Sequence, residues 1–139
     1  MARFLSDAWF RELVERIEAS EAYREAAADW EGDVAFWIEA EPDRGLEEDV
    51  FAVLDLWHGR CLGGGLVERS RAEAARYLIA APYSRWKDVV TGHLDPVRGM
   101  MQGKLRVRGD LPTIVRQVRA ANELVRLTGE IPTEFPDEG

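Results

Sequence analysis

The stretch 83–111, YSRWKDVVTGHLDPVRGMMQGKLRVRGDL, decides the fold of this chain. It places Met100 and Met101 between two glycines, directly before a segment in which cations alternate with apolar residues. Asp95-Pro96 has the order of an N-cap followed by the first helical residue, which predicts a short helix that contains the methionines. The alternation over 104–108 predicts that a strand follows this helix.

The composition is typical of one globular domain that spans 1–139, with 46% hydrophobic and 32% charged residues. The formal net charge of −8 argues against general nucleic-acid binding. Residues 1–57 hold 5 basic and 16 acidic side chains, and residues 58–139 hold 13 and 10. We expect a cytoplasmic protein, because no run approaches the roughly 18–20 apolar residues of a membrane span and no signal-peptide pattern occurs.

The first half of the chain predicts two helices and then several strands. Apolar residues at 3–4 spacing over 4–17 predict an amphipathic helix capped by Ser6 or Asp7, and Ser20 has the side chain to cap a second helix over 21–28. Apolar runs between turn residues predict strands at 34–40, 49–57 and 62–68. The glycine triplet 63–65 indicates a bulge in the third of these strands.

The segment 72–81 fits two structures. Ser70 and Glu73 have the spacing of a capping box, which favours a helix. The apolar run 76–81 is short and ends at Pro82, which favours a strand. We prefer the strand.

The remaining chain predicts helices and a tail. Ser84 caps a helix that ends at Gly92, and Asp110 caps one long helix with Pro112 in its first turn and Gly129 after its end. The last ten residues, 130–139, contain two prolines and predict an extended arm with few fixed contacts.

Both faces of the predicted strands carry bulky apolar residues, so both faces need cover. In the strand 49–57, one face holds Leu54 and Leu56, and the other holds Phe51 and Asp55. If the covering layer is incomplete, a cavity lined by large apolar groups remains. Asp55 interrupts an apolar face, and we expect a buried carboxylate paired with an arginine, with a ligand-reading role as the alternative.

Residues capable of catalysis occur without partners at useful spacing. His58 and His93 lack the spacing of metal ligands, and Cys61, the only cysteine, has no base beside it in the sequence. We therefore interpret the histidines as solvated turn residues and Cys61 as a strand residue, and predict no catalytic residue, metal or cofactor. The alternative is an enzyme for a lipidic or thioester substrate that uses His58, His93, Asp55 or Cys61.

The cations Lys104, Arg106 and Arg108 share one face of the predicted strand 104–108, and Arg98 lies nearby in the sequence. A charged edge strand that resists aggregation explains this pattern. The functional alternative is a strip that faces an anionic head group or an acidic membrane surface.

The stretch around Trp86 also carries a family resemblance. The elements that carry it are Trp86, Gly92, Leu94-Asp95-Pro96, Gly103-Lys104-Leu105, Val107 and Gly109-Asp110. Together they resemble the sterol carrier protein family of lipid-binding domains. The resemblance implies an α+β fold in which helices pack on a five-stranded, mostly antiparallel sheet and enclose an apolar tunnel.

The resemblance also implies non-catalytic binding or transfer of a fatty acid, fatty acyl-CoA, phospholipid or sterol-like lipid. We expect a monomer or homodimer that makes transient contact with a membrane surface. An accessory domain or a dimerisation or regulatory module is the alternative. The expected tunnel residues are Phe36, Trp37, Phe51, Leu54, Leu56, Trp86, Val89, Met100, Met101 and Leu105. The expected head-group residues are Arg98, Arg106 and Arg108. Unbranched methionines suit a wall that adapts to chains of different length, although core filling explains them equally.

Overall fold

The computed structural model describes residues 1–138, which form helices on both faces of a sheet. The helices are α1 (Asp7–Ala19), α2 (Glu21–Ala26), α3 (Arg69–Glu73), α4 (Tyr83–Val90), α5 (Pro96–Met101), α6 (Leu111–Arg116) and α7 (Val118–Gly129). The strands are β1 (Ala2–Arg3), β2 (Val34–Glu39), β3 (Val50–Trp57), β4 (Arg60–Leu66), β5 (Tyr77–Pro82), β6 (Arg106–Arg108) and β7 (Thr133–Glu134).

The main sheet has five strands in the order β4-β3-β2-β5-β6. All neighbours are antiparallel except β2 and β5, which are parallel. The register places Phe36 of β2 between Ala52 of β3 and Ile79 of β5. The prediction of an α+β fold with a five-stranded, mostly antiparallel sheet is confirmed.

The first two helices begin where the sequence predicts. The Ser6 hydroxyl accepts a hydrogen bond from the Trp9 backbone N–H at 3.2 Å, so Ser6 rather than Asp7 caps α1. Ser20 caps α2 in the same way through the Tyr23 N–H at 3.0 Å. The predicted bulge in β4 is confirmed, because the pairing with β3 shifts register after Asp55.

The ambiguous segment contains both structures in succession. Residues 69–73 form α3, and the chain then turns into β5 at Tyr77. Glu68 stands at the N-cap of α3 without a side-chain hydrogen bond, so Ser70 does not form the capping box that its spacing suggests. The preferred strand is confirmed, with a short helix before it.

The predicted long helix after Asp110 is wrong in one respect: it is two helices. Asp110 caps α6, since its carboxylate accepts from the Thr113 backbone N–H at 3.4 Å, but Gln117 leaves the helical region at φ −105° and ψ 36°. The Gln117 N–H bonds to the Ile114 carbonyl three residues back, which tightens and ends the turn. Three consecutive β-branched residues, 113–115, weaken the helix just before this break.

The C-terminal arm is extended, but the expectation of few fixed contacts is wrong. β7 pairs in parallel with β1, and Ile131 is buried. The Phe135 ring lies 5.1 Å from that of Phe4, and the Tyr83 hydroxyl donates to Asp137 at 2.8 Å. The arm is fixed because its partners lie in the N-terminal segment and in α4, far away in sequence.

The two faces of the sheet belong to two clusters of buried side chains. The inner face, defined by Leu54 and Leu56, packs against α1, α2, α4, α5 and α7. The outer face, defined by Ala35, Val53 and Leu78, packs against α3. The prediction for Asp55 is wrong: Asp55 is exposed and forms none of the ion pairs within residues 1–138.

Candidate lipid-binding site

Two apolar cavities lie side by side between the inner face of the sheet and the helices. The first has a volume of about 100 Å³ and is bounded by side chains such as Leu56 of β3, Met100 of α5 and Ala121 of α7. The second has a volume of about 90 Å³ and reaches the N-terminal segment at Phe4 and Leu5. Both have apolar walls.

Four side chains line both cavities and form the partition between them: Phe36, Trp86, Val89 and Val125. Trp86 is held in place, because its indole Nε1 donates to the Trp37 carbonyl at 3.1 Å. Phe36 meets Trp86 edge-on, with ring centroids 5.6 Å apart. Phe36 has no polar anchor, and Val125 belongs to α7, which lies over the cavities.

The spacing of α7 explains why space remains below it. Its inward positions, together with Gln117 just before it, follow the 3–4 period of one helix face. They are Gln117, Ala120, Ala121, Leu124 and Val125. Alanines stand where a filled core has larger side chains, while indole and phenyl rings keep the helix away from the sheet. The gap therefore follows from short side chains on one layer facing bulky supports on the other.

Gln117 lines the first cavity, whose wall is almost entirely apolar. It lies at the break between α6 and α7 and is half-buried. The Trp30 indole in the same wall already donates to the Gly32 carbonyl at 2.8 Å. In the second cavity, the Thr128 hydroxyl donates to the Val125 carbonyl at 2.6 Å. Gln117 is thus the residue with a side-chain amide among those that line the first cavity.

The structure brings together most of the expected tunnel residues. Those that line one or both cavities are Phe36, Leu54, Leu56, Trp86, Val89, Met100 and Leu105. Trp37 and Phe51 lie on the outer face, where their rings are 5.0 Å apart, because neighbouring strand residues point to opposite faces. Met101 is 66% exposed, because consecutive residues of α5 cannot both face inward.

Sequence reasoning missed the walls that come from α7 and from the N-terminal segment. The missed residues include Phe4, Leu5, Trp9, Phe10, Ala120, Ala121, Leu124 and Val125. The 3–4 spacing at 117–125 is the signal that would have identified the α7 wall. No comparable signal assigns Phe4 to a cavity, because its neighbours there come from distant segments.

The cations expected to hold a head group do not line either cavity. Arg106 forms an ion pair with Glu39, and Arg108 donates to the Glu73 carbonyl at 2.6 Å. Both pair with β5 at outer-face positions, since Arg108 stands opposite Leu78. Arg98 is exposed on α5. The structure therefore does not bring these arginines to the cavity walls.

The residues considered for catalysis also lie outside both cavity walls. His58 Nε2 is 2.6 Å from a Glu31 carboxylate oxygen, and His93 Nδ1 is 2.9 Å from the Thr91 hydroxyl. Cys61 is buried, and this burial raises the pKa of its thiol to about 11. Within residues 1–138, no cluster of three or more His, Cys, Asp or Glu side chains is arranged to hold a metal ion.

The chain belongs to the SCP-2 sterol transfer family, whose family model matches residues 10–120. A crystal structure of sterol carrier protein 2 shares 35% identity, with a TM-score of 0.81, over 93% of this chain and 99% of the other. A conserved hypothetical protein of Thermus thermophilus shares 35% identity, with a TM-score of 0.84, over 100% of this chain and 96% of the other. The resemblance stated from the sequence is confirmed.

A more distant structure shares the fold. The sterol carrier protein-2 of Aedes aegypti, in complex with the C16 fatty acid palmitate, is 19% identical, with a TM-score of 0.54, over 87% of this chain and 94% of the other. No curated protein sequence matches the chain. Among residues 1–138, every helix is too short or too polar to cross a membrane.

Proposed function

We propose that this protein is a non-catalytic carrier that binds one lipid amphiphile between the inner face of the sheet and α7. The observation that carries the proposal is the pair of adjacent apolar cavities divided only by the partition of Phe36, Trp86, Val89 and Val125. Membership of a sterol transfer family supports it. The proposed ligand classes are fatty acids, fatty acyl-CoA, phospholipids and sterol-like lipids.

The volumes require the two cavities to join when a long ligand binds. A dry cavity of about 150 Å³ holds one benzene molecule, and each cavity here is smaller, at about 100 and 90 Å³. We expect Trp86 to stay on its hydrogen bond to the Trp37 carbonyl, while Phe36 rotates and α7 lifts with Val125. Contacts with the bound ligand then replace the side-chain contacts that are lost when Phe36 and Val125 move.

Burial of an acyl chain is sufficient for this rearrangement. A chain of about 14–16 carbons contributes roughly 11–13 kcal/mol at about 0.8 kcal/mol per methylene. Association costs at least about 4 kcal/mol, which leaves enough for micromolar binding. One hydrogen bond to a charged head group adds roughly 1.5–3 kcal/mol. Because the chain dominates, we expect selectivity for amphiphiles as a class, with the head group at the Gln117 end.

Native mass spectrometry of freshly purified protein, followed by organic extraction, tests the proposal. We expect a mass increment of one lipid per chain, and the same spectrum gives the number of subunits. Delipidated protein is then titrated with a fluorescent fatty acid, and palmitate is the competitor because the Aedes aegypti protein of the same fold was solved with it. Protein that is purified empty and takes up neither fatty acid nor sterol contradicts the proposal.

A further inference from the structure

The positive charge of this acidic protein is concentrated in one segment of the chain, which also supplies part of the wall of the first cavity. Residues 94–122 hold six basic and two acidic side chains, and the rest of the chain holds 12 basic and 24 acidic ones. This segment comprises α5, β6, α6 and the first turn of α7. A net charge of +4 therefore stands on one part of a protein whose remainder carries −12.

Six exposed residues of this segment form a surface that we name the rim: Arg98, Met101, Lys104, Arg116, Val118 and Arg119. Met101 directly follows Met100, and Val118 directly follows Gln117, and both of these preceding residues line the first cavity. Since α5 contacts α7, the rim borders one cavity.

The rim combines apolar side chains with cations that are not in ion pairs, although Arg116 donates a hydrogen bond to the Thr113 hydroxyl at 3.1 Å. Met101 is 66% exposed and Val118 is 38% exposed. Arg98 and Met101 are three residues apart on α5 and share its outer side. The ion pairs within residues 1–138 involve none of the four rim cations, whereas Arg60, for example, pairs with Glu18.

We propose that the rim docks on the surface of an anionic phospholipid bilayer, and this inference rests on the proposed carrier function. Unpaired cations attract lipid phosphates and carboxylates, and exposed apolar side chains insert at the boundary of the acyl region. Docking in this orientation faces the first cavity towards the membrane that donates or accepts its ligand.

A bilayer suits the rim better than an acidic protein does. A protein partner requires a shape-complementary surface, normally about 800 Å² on each side, with an apolar centre. The rim offers two separated apolar side chains among cations that alternate with them. Such a surface is sufficient for binding to a lipid bilayer, because the lipids are fluid and adapt to inserted side chains and charges without a complementary shape.

Vesicle co-sedimentation tests the docking. The wild type is expected to bind vesicles of equal parts phosphatidylcholine and phosphatidylserine, and to bind pure phosphatidylcholine far less. The double variant Lys104→Glu/Arg119→Glu is expected to lose roughly 10- to 30-fold in vesicle affinity, since each cation near an anionic surface contributes several-fold. The matched control is Arg3→Glu/Arg11→Glu, which changes the net charge equally at exposed cations outside the rim; it is expected to stay within about twofold of the wild type.

The apolar contribution is tested by Met101→Ser against Leu62→Ser, since Leu62 is 60% exposed on β4 and Met101 is 66% exposed. Only Met101→Ser is expected to weaken vesicle binding, by several-fold. Absence of phosphatidylserine-dependent binding by the wild type overturns the docking, as does an equal loss in both charge-reversal variants. A rim that binds polyglutamate as tightly as vesicles, with no effect of Met101→Ser, identifies an acidic protein partner and also overturns it.

Uptake of fluorescent fatty acid without vesicles separates this inference from the carrier function. Retained uptake in Lys104→Glu/Arg119→Glu, together with lost vesicle binding, supports the docking. Wild-type uptake with no effect of the rim variants on vesicle binding overturns the docking and leaves the carrier function standing. Rim-dependent vesicle binding without fatty-acid uptake overturns the carrier function alone.

Discussion

The inner and outer faces of the same strands pack their covering helices differently. On the outer face, Ala35 shares a buried cluster with Ala72 of α3 and with Ala75 in the turn after it. Val53 and Leu78 complete this cluster, which neither cavity touches. On the inner face, large rings support α7 while its alanines leave the space beneath it unfilled. Small residues on both the helix and the sheet let the two layers pack without a cavity. Small residues on a helix that rests on large rings leave a cavity beneath it.

The largest expected effect comes from two phenylalanines on adjacent strands. Phe36 pairs with Trp86 on the inner face, and Phe51 pairs with Trp37 on the outer face. Each change to alanine should lower the free energy of unfolding by about 2–4 kcal/mol, because a ring is removed from a partly buried site. Only Phe36→Ala joins the two cavities, so it should bind fatty acid more tightly than the wild type does.

Chemical denaturation with and without saturating fatty acid measures this difference. A tenfold gain in affinity increases ligand stabilisation by about 1.4 kcal/mol, so Phe36→Ala should recover more stability than Phe51→Ala. Equal recovery in the two variants would mean that Phe36 is an ordinary core residue and that the inner face has no special role.

Larger side chains placed on the inner and outer faces of the sheet give the next largest effect. Ala121 lines the first cavity, whereas Ala72 is the fully buried residue of α3. Ala72→Leu should lower the free energy of unfolding by about 1–3 kcal/mol through overpacking. Ala121→Leu extends into empty space, so it should keep stability and weaken fatty-acid affinity at least about tenfold through lost ligand volume. Fluorescent fatty-acid titration and chemical denaturation of both variants measure these effects. Equal destabilisation by Ala72→Leu and Ala121→Leu would show that the inner face is packed as fully as the outer face.

Periodicity in the sequence predicts the helices and strands, but it does not predict the empty space between the sheet and the helices. The helix over 4–17, the strands around Phe36 and Leu54 and the caps at Ser6 and Asp110 follow from local spacing and side-chain chemistry. Strand alternation even separates Phe36 from Trp37, yet it does not state which set faces α7. A cavity depends on the distance between two layers, which no single segment encodes.

Two other errors involve contacts between distant residues, whereas the cap predicted at Ser84 is a local error, since Pro82 stands at the N-cap of α4. The arm is fixed by the Trp9 indole donating to Thr133 and by the Tyr83 hydroxyl donating to Asp137, pairs that are 124 and 54 residues apart. Asp55 interrupts an apolar strand face, but its exposure depends on which part of that face other segments of the chain cover. Local patterns cannot report either fact.

The C-terminal arm gives a smaller, pH-dependent effect on the inner side, since Phe135 packs on Phe4, a wall of the second cavity. Burial opposes the charge of Asp137, but hydrogen bonds from Tyr83 and Lys87 outweigh it, so the pKa of this carboxyl lies below its usual range. A lowered carboxyl pKa stabilises the fold above the unfolded-state pKa, and the stabilisation is lost as the pH falls through the folded-state value.

Asp137→Asn should therefore lower the free energy of unfolding by about 1–2 kcal/mol at neutral pH, and this difference should shrink below about pH 4. Denaturation curves at neutral and acidic pH measure it. Asp88→Asn, at an exposed position of α4, is the control and should match the wild type at both. A difference for Asp137→Asn that is constant with pH would mean that the carboxylate charge does not hold the arm.

The smallest effect concerns polarity within the inner face, where Gln117 distinguishes the first cavity from the second. Gln117→Leu keeps the approximate side-chain volume and removes the amide, so stability should be unchanged while affinity for a fatty acid falls about 2- to 10-fold, the range of one hydrogen bond. A fluorescent hydrocarbon without a head group should bind equally to the wild type and to Gln117→Leu.

Gln102→Leu, at the exposed C-cap of α5, is the matched control and should change neither affinity. If Gln117→Leu weakens both ligands alike, then the amide shapes the cavity rather than contacting the head group, and the polar end of the ligand lies towards the arm.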